Sequence, residues 1–182
     1  MENKLSQKKI KDIKLLISDV DGVLTDGTIY IGSDGTEFKN FSVEDGAGAA
    51  YARMAGLPLA LISGRFSLCT LLRSKEMGIE HCYQGKLNKL DSYQELKEIF
   101  NVSDHEIAYI GDDLIDIPVM EKVGLPAAVQ NAYPDVKEKA VFVTKTRGGE
   151  GAFREFIDWM LMELGTYKKC LEDMQIKLVD DS

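Results

Sequence analysis

Cysteine is scarce in this chain. Cys69, Cys82 and Cys170 are an odd set without metal-ligand spacing, which reads as reduced thiols in a cytoplasmic protein. No run of about 18 apolar residues occurs, so no membrane partner or span is expected. Basic residues are outnumbered, 22 Lys and Arg against 30 Asp and Glu. The resulting net charge of −8 argues against a nucleic-acid partner. It also means that an anionic substrate needs local cations. Histidine offers only the lone His81 and His105, which fit packing better than catalysis. Repeats and low-complexity linkers are missing, so residues 1–182 read as one domain, with polar tails at 1–11 and 165–182. The stretch Met1 to Lys11 lacks the apolar centre of a signal peptide. What is present is ordinary for a globular protein, 45% hydrophobic and 29% charged, and long enough to bury a core.

One stretch organises the rest. Leu15, Leu16 and Ile17 form an apolar run that reads as a buried parallel strand. Asp19 and Asp21 follow it and, two apart on extended backbone, point to one side. Gly22 then permits a sharp turn. Paired carboxylates at the carboxyl end of a strand sit where an open α/β sheet places its chemistry. Two anions so close call for a cation, and Mg²⁺ suits an all-oxygen site.

Downstream, Thr28 to Ile31 and Glu37 to Phe41 flank Gly32 to Gly35, which predicts a β-hairpin. Helices are expected over 47–55, 67–77, 89–100, 116–123 and 152–164. Strands are expected over 58–62, 79–83, 107–110, 125–129 and 141–144. This alternation predicts an α/β fold with a doubly wound, mainly parallel sheet and one hairpin insertion. The final stretch, 165–182, is left open between helix and disorder.

Three further positions carry the residue types of phosphoryl chemistry. Ser63, followed by Gly64, places a hydroxyl and approachable backbone N–H groups at a strand end. Lys89 opens a helix, where a cation opposes the dipole unless it serves an anion. Gly111-Asp112-Asp113 closes another buried strand, and Asp116 lies one turn on. Carboxylates at that spacing can share a cation and orient one another.

Together these pieces resemble the haloacid dehalogenase superfamily. Its four motifs are matched in order by Asp19-Val-Asp21, Ser63, Lys89 and Gly111-Asp112-Asp113, within roughly residues 13 to 160. The resemblance implies a Rossmann-like fold and a phosphatase with an aspartyl-phosphate intermediate. By it Asp19 is the nucleophile and Asp21 the general acid/base. Ser63 with Gly64 and Lys89 would hold phosphoryl oxygens. Asp19, the Asp21 backbone carbonyl and Asp112 would bind Mg²⁺, with Asp113 and Asp116 in support. An acid at position 21 separates phosphatases from the transport ATPases and dehalogenases of the superfamily.

The spans between Asp21 and Ser63 and between Ser63 and Lys89 are too short for the cap domain that usually covers a small substrate. Either the substrate is large or another subunit closes the site. Ile29, Ile31, Phe38 and Phe41 on the hairpin are suited to such a neighbour. A narrower resemblance favours that second option. Asp19 to Gly27, Ser63-Gly-Arg65, Tyr83-Gln-Gly85, Asn88-Lys-Leu90, Tyr109 to Asp116, Val119 to Gly124 and Gly148 to Gly151 look like the 3-deoxy-D-manno-octulosonate 8-phosphate phosphatase family. These are capless homotetramers of lipopolysaccharide biosynthesis, in which a neighbouring subunit helps cover each site. Glu44 departs from that pattern, where a basic residue is expected. Arg147 to Glu155 looks more like phosphatases of nonulosonate 9-phosphates, which tend to carry glutamate where this chain has Arg65. Arg65 and Arg73, about two helical turns apart, are expected to face the pocket, and a guanidinium pairs with a carboxylate bidentately. The reading is therefore a Mg²⁺-dependent phosphatase of a sugar-acid phosphate. The eight-carbon acid is favoured and the nine-carbon acid is the alternative. A non-catalytic oligomerisation module of sugar-acid activation is a further rival, opposed by the intact motif set. A phosphomutase would need a cap.

Overall fold

The computed structural model describes residues 10–180, with side chains through Ile176. The expected polar tail over 1–11 falls almost wholly outside these residues, although Ile10, within them, is fully buried.

Strand β1, Leu15–Ser18, is buried along its whole length and lies in the middle of the main sheet. Its Leu-Leu-Ile run has no polar face to offer water, so it must be covered on both sides. It pairs in parallel with β4, Leu59–Ser63, on one side and with β6, Ile107–Gly111, on the other. Beyond β4 lies β5, His81–Gln84. Beyond β6 lie β7, Leu125–Ala128, and β8, Phe142–Val143. The order is therefore β5-β4-β1-β6-β7-β8. Connections run one way from β1 through β4 to β5, then resume across β1 at β6. That reversal opens a crevice at the carboxyl ends of β1 and β6. Ser18 stands opposite Ile110, so the segments leaving both strands emerge side by side.

Strands β2, Tyr30–Ile31, and β3, Glu37–Phe38, form the expected antiparallel hairpin, and a bridge between Thr25 and Phe41 closes its base. Helix α1, Val43–Met54, starts four residues before the expected 47. Ser42 caps it by accepting from the Glu44 N–H, and Glu44 and Asp45 sit favourably in its first turn. Helix α2, Leu68–Glu76, is capped by Ser67, and α3, Leu90–Phe100, begins directly after Lys89. The helix expected over 116–123 is instead a 3₁₀ turn, Leu114–Asp116, followed by the short α4, Ile117–Met120. A short helix absent from the sequence reading, α5, spans Pro134–Lys139. Helix α6, Ala152–Glu163, buries Phe153, Phe156, Ile157, Met160 and Leu161 beside α1. Each such side chain contributes about 1.5–3 kcal/mol when fully buried. The open question at the C-terminal end resolves as helix α7, Tyr167–Asp180.

No cap interrupts the segments between Asp21 and Ser63 or between Ser63 and Lys89. On the hairpin, Tyr30, Ile31 and Phe38 are exposed, whereas Phe41 packs on the core. No helix among the described residues is long and apolar enough to cross a membrane. The three cysteines are unpaired.

Candidate active site

Asp19 follows β1, and its N–H donates to the Ile110 carbonyl at 3.0 Å, which locks the two crevice walls together. Its side chain is nearly buried. Asp112 follows β6 and approaches from the other wall. Gly22, at φ +97°, makes the approach feasible, because a Cβ there would lie 2.0 Å from Asp112 Oδ2.

Lys89 lies beneath these carboxylates and is 1% exposed. Its Nζ donates to Asp19 Oδ1 at 2.6 Å, to Asp116 Oδ1 at 2.6 Å and to Tyr109 Oη at 3.3 Å. All three ammonium protons are therefore spent inside the cluster. Asp116 is fully buried and equally committed. Its Oδ1 also accepts from Tyr109 Oη at 2.6 Å, and its Oδ2 accepts from the N–H groups of Asp112 and Asp113 at 2.9 and 3.0 Å.

The cluster is short of positive charge. Oxygens of Asp19, Asp112 and Asp116 lie within 4.8 Å of one another. Burial pushes Asp19 up to about 6, against the pull of Lys89. Burial, then repulsion from Asp19 and Asp116, pushes Asp112 up to about 9. For Lys89 burial acts downwards, but Asp19 and Asp116 outweigh it and hold the ammonium above its ordinary range. Asp112 Oδ1 is buried without a hydrogen-bond partner. Crowded carboxylates with one orphaned oxygen fit a small, hard divalent cation such as Mg²⁺. Asp19 and Asp112 have oxygens to give it. Asp116 has none, since both are already engaged, and it holds Lys89 and the Asp112 loop instead.

Asp21 stands at the mouth. Its Oδ1 accepts from Lys39 Nζ at 2.5 Å, and its Oδ2 accepts from Ser63 Oγ at 3.3 Å. Lys39 is absent from the sequence reading although its side chain is fully buried. A signal was present. Glu37, Lys39 and Phe41 alternate with exposed Phe38 and Asn40, so the hairpin turns two charged residues inward. Tyr109 was likewise missed, being indistinguishable from core in an apolar strand.

A 190 Å³ cavity opens between Asp19, Asp21, Ser63, Gly64, Arg65 and Asp113, with Ile29 and Leu87 as apolar walls. The Arg65 guanidinium pairs with Glu37, which also accepts from Ser67 Oγ at 2.6 Å. These contacts hold the Glu37 carboxyl down at about 2. The second terminal nitrogen of Arg65 has no partner. Arg73 does not reach this cavity in the single chain. It donates to the Ser42 carbonyl at 2.8 Å and pairs with Glu76 at 2.8 Å. In the single chain the two arginines do not share this cavity. Arg65 precedes α2 rather than belonging to it, so helical spacing does not relate them. Asp113 caps its 3₁₀ turn through the Leu114 N–H at 2.7 Å and borders the cavity, rather than supporting Asp19 or Asp112. His81 packs edge-on against Phe100, and Arg154 binds Asp158 and covers Tyr51, both outside the cavity.

The family model of haloacid dehalogenase-like hydrolases matches residues 53–156, more than half of the chain. The chain belongs to this family. Within the haloacid dehalogenase-like hydrolases it is 46% identical, over 157 residues, to the 3-deoxy-D-manno-octulosonate 8-phosphate phosphatase of Escherichia coli K12, covering 86% of this chain and 84% of that protein. It is 44% identical to the Yersinia pestis phosphatase of the same name, covering 85% and 83%. The crystal structure of the Yersinia pestis phosphatase superposes with a TM-score of 0.88 at 42% identity, covering 90% and 89%. The Moraxella catarrhalis phosphatase, solved with a magnesium ion, a phosphate ion and a KDO molecule, superposes with a TM-score of 0.90 at 35% identity, covering 94% and 98%.

Proposed function

We propose that this protein is a Mg²⁺-dependent phosphatase that hydrolyses 3-deoxy-D-manno-octulosonate 8-phosphate to the free sugar acid and phosphate. The observation that carries the chemistry is Asp19 itself, which shares one cavity with Asp21 and one carboxylate cluster with Asp112, whose buried oxygen has no partner. Relatives 44–46% identical along most of the chain support the substrate.

Asp19 is the nucleophile. One of its oxygens bonds to phosphorus as the bond from phosphorus to the sugar oxygen breaks, which leaves an aspartyl-phosphate. Asp21 gives a proton to the departing alkoxide, then removes one from the water that attacks the aspartyl-phosphate and restores Asp19. A positioned acid/base of this kind contributes about 10²–10⁴-fold. Ser63 and the Gly64 backbone face the phosphoryl oxygens, and Lys89 is the cation next to Asp19. Mg²⁺, held by Asp19, Asp112 and the Asp21 backbone carbonyl, would neutralise the carboxylates and the phosphoryl charge. Arg65, at the rim, has a free nitrogen for the sugar-acid carboxylate.

The cavity is smaller than the roughly 300–1,000 Å³ usual for a small-molecule site. We therefore take the chain as one capless domain of a cytoplasmic homotetramer, in which a neighbouring subunit packs on the exposed hairpin and completes the pocket. The test is phosphate release from the octulosonate 8-phosphate and from a nonulosonate 9-phosphate, with Mg²⁺ and with EDTA. Preference for the former, silenced by EDTA and restored by Mg²⁺, is the expected outcome. Undiminished activity in chelator would overturn the metal assignment, and preference for the latter the substrate.

A further inference from the structure

Among the described residues, Lys39 is the hairpin side chain that bonds to a reacting group, and no catalytic motif includes it. Its side chain is fully buried, yet it carries a charge. Its Nζ lies 2.5 Å from Asp21 Oδ1 and 3.3 Å from Thr70 Oγ1. A long, flexible lysine is an expensive side chain to order and bury, so a buried one needs its partners. Here the partner with charge is the acid/base itself. The other Asp21 oxygen lies 3.3 Å from Ser63 Oγ, whose single proton is shared with the Arg65 carbonyl at 2.9 Å, so Lys39 is the firmer hold on the carboxylate.

The seat of Lys39 is itself fixed. Two residues earlier on the same inward face, Glu37 is bound by Arg65 and Ser67, and its carbonyl accepts from Cys69 Sγ at 3.3 Å. Both inward charged side chains of the hairpin thus end on the segment from Arg65 to Thr70 or on Asp21. The hairpin is a wall of the site.

We propose that Lys39 is a positioning residue for proton transfer, acting through Asp21 by holding its carboxylate at the cavity mouth. This rests on the phosphatase reading above. Proton transfer requires an acid/base within hydrogen-bond reach of the reacting oxygen, and a displacement of about 1 Å costs up to about 10²-fold. Lys39 touches Asp21 and Thr70 but does not border the cavity, so its loss should act on kcat more than on KM.

A double-mutant cycle in the full-length protein tests this. Phosphate release is measured with Mg²⁺ on 4-nitrophenyl phosphate and on the octulosonate 8-phosphate, for the parent, Lys39→Met, Asp21→Asn and the double variant. Lys39→Met is expected to lower kcat by about 10- to 10²-fold, with KM changed less than about threefold. In the Asp21→Asn background the same substitution is expected to cost less than about twofold, because residues acting as a unit are non-additive. Lys39→Arg, which keeps the charge, should recover part of the loss, and circular dichroism of each variant should match the parent. Equal losses in both backgrounds, or a raised KM at unchanged kcat, would overturn the proposal and leave the phosphatase reading intact. A misfolded Lys39→Met transfers the same test to Lys39→Arg, whose kcat loss must then vanish in the Asp21→Asn background. A parent that releases phosphate from neither ester overturns the phosphatase reading and this proposal with it.

Discussion

Asp116→Asn isolates what the buried cluster depends on. Asp116 accepts four hydrogen bonds, two at each oxygen, and is shielded from water. Asparagine has one oxygen and one NH₂. If its oxygen faces Lys89 and Tyr109, the NH₂ faces two backbone N–H groups. If it is turned, the NH₂ faces the ammonium and the phenol. Either way two acceptor contacts become donor-against-donor, and Lys89 loses one of its two carboxylate partners while buried. Breaking a buried pair costs about 3–5 kcal/mol. A chain of this length loses about 2–4 °C in Tm per kcal/mol. A fall of roughly 6–20 °C is therefore expected by calorimetry or circular dichroism, out of a total stability of about 5–15 kcal/mol. Activity should fall as well, because the Asp112 loop is tied to Asp116 through two N–H groups. A Tm within about 2 °C of the parent would show that Asp116 is not the hub described here.

Other outcomes follow from the same geometry. Asp19→Asn should abolish phosphate release with the fold intact, and Asp21→Asn should cost at least about 10²-fold in kcat; near-normal turnover in either would sink the mechanism. Asp45 is buried beneath the start of α6, where its carboxylate accepts from the Arg154 N–H at 3.0 Å, and burial pushes it up to about 7. The folded state thus binds this proton more tightly than the unfolded chain, so its contribution to stability falls as pH rises from about 4 to about 7 and then levels off. Asp45→Asn should flatten that slope in urea titrations across the interval, and an unchanged slope would count against it. Arg65→Ala should lower kcat/KM for the octulosonate phosphate by roughly tenfold while sparing 4-nitrophenyl phosphate, since a hydrogen bond to a charged group contributes about 1.5–3 kcal/mol; equal losses on both would assign Arg65 to the phosphate or the fold. Light scattering should give a tetramer that Ile31→Asp with Phe38→Asp disrupts, and a fully active monomer would refute the shared site.

The parts of the fold legible in the sequence are those where one pattern has one structural solution. Leu15 to Ile17 could only be a buried strand, and Asp19 and Asp112 then had to emerge at the same sheet edge. Boundaries were less legible where two signals competed. The small residues from 47 suggested a later start, but Ser42 with Glu44 and Asp45 makes the better one. The short α5 carries too few apolar residues to show a period. Site residues were legible when they ended strands. Tyr109 was hidden because a buried tyrosine has an apolar body, and its hydroxyl counts only once Asp116 is placed beside it. Lys39 was hidden because its partner lies 18 residues away across a turn. The placement of Arg73 was not legible, because helical spacing does not relate it to Arg65, which precedes the helix.

The ion pairs also bear on how an anionic substrate enters. Lys39 is engaged with Asp21, Lys89 with Asp19 and Asp116, and Arg65 with Glu37. A sugar-acid phosphate that approaches this cavity in the single chain therefore meets cations already paired, with one nitrogen of Arg65 left to share. Sharing yields less than the gross energy of the new contact, because Glu37 and the substrate carboxylate then lean on one guanidinium. The Arg65 effect is therefore nearer about tenfold than hundredfold. The same pairing gives the hairpin a second consequence. Glu37 competes for Arg65, and Lys39, two residues on, holds Asp21. Any contact that shifts this hairpin alters the availability of Arg65 and the placement of Asp21 together. A neighbour packed on Ile31 and Phe38 would thus act on selection and on proton transfer through one strand.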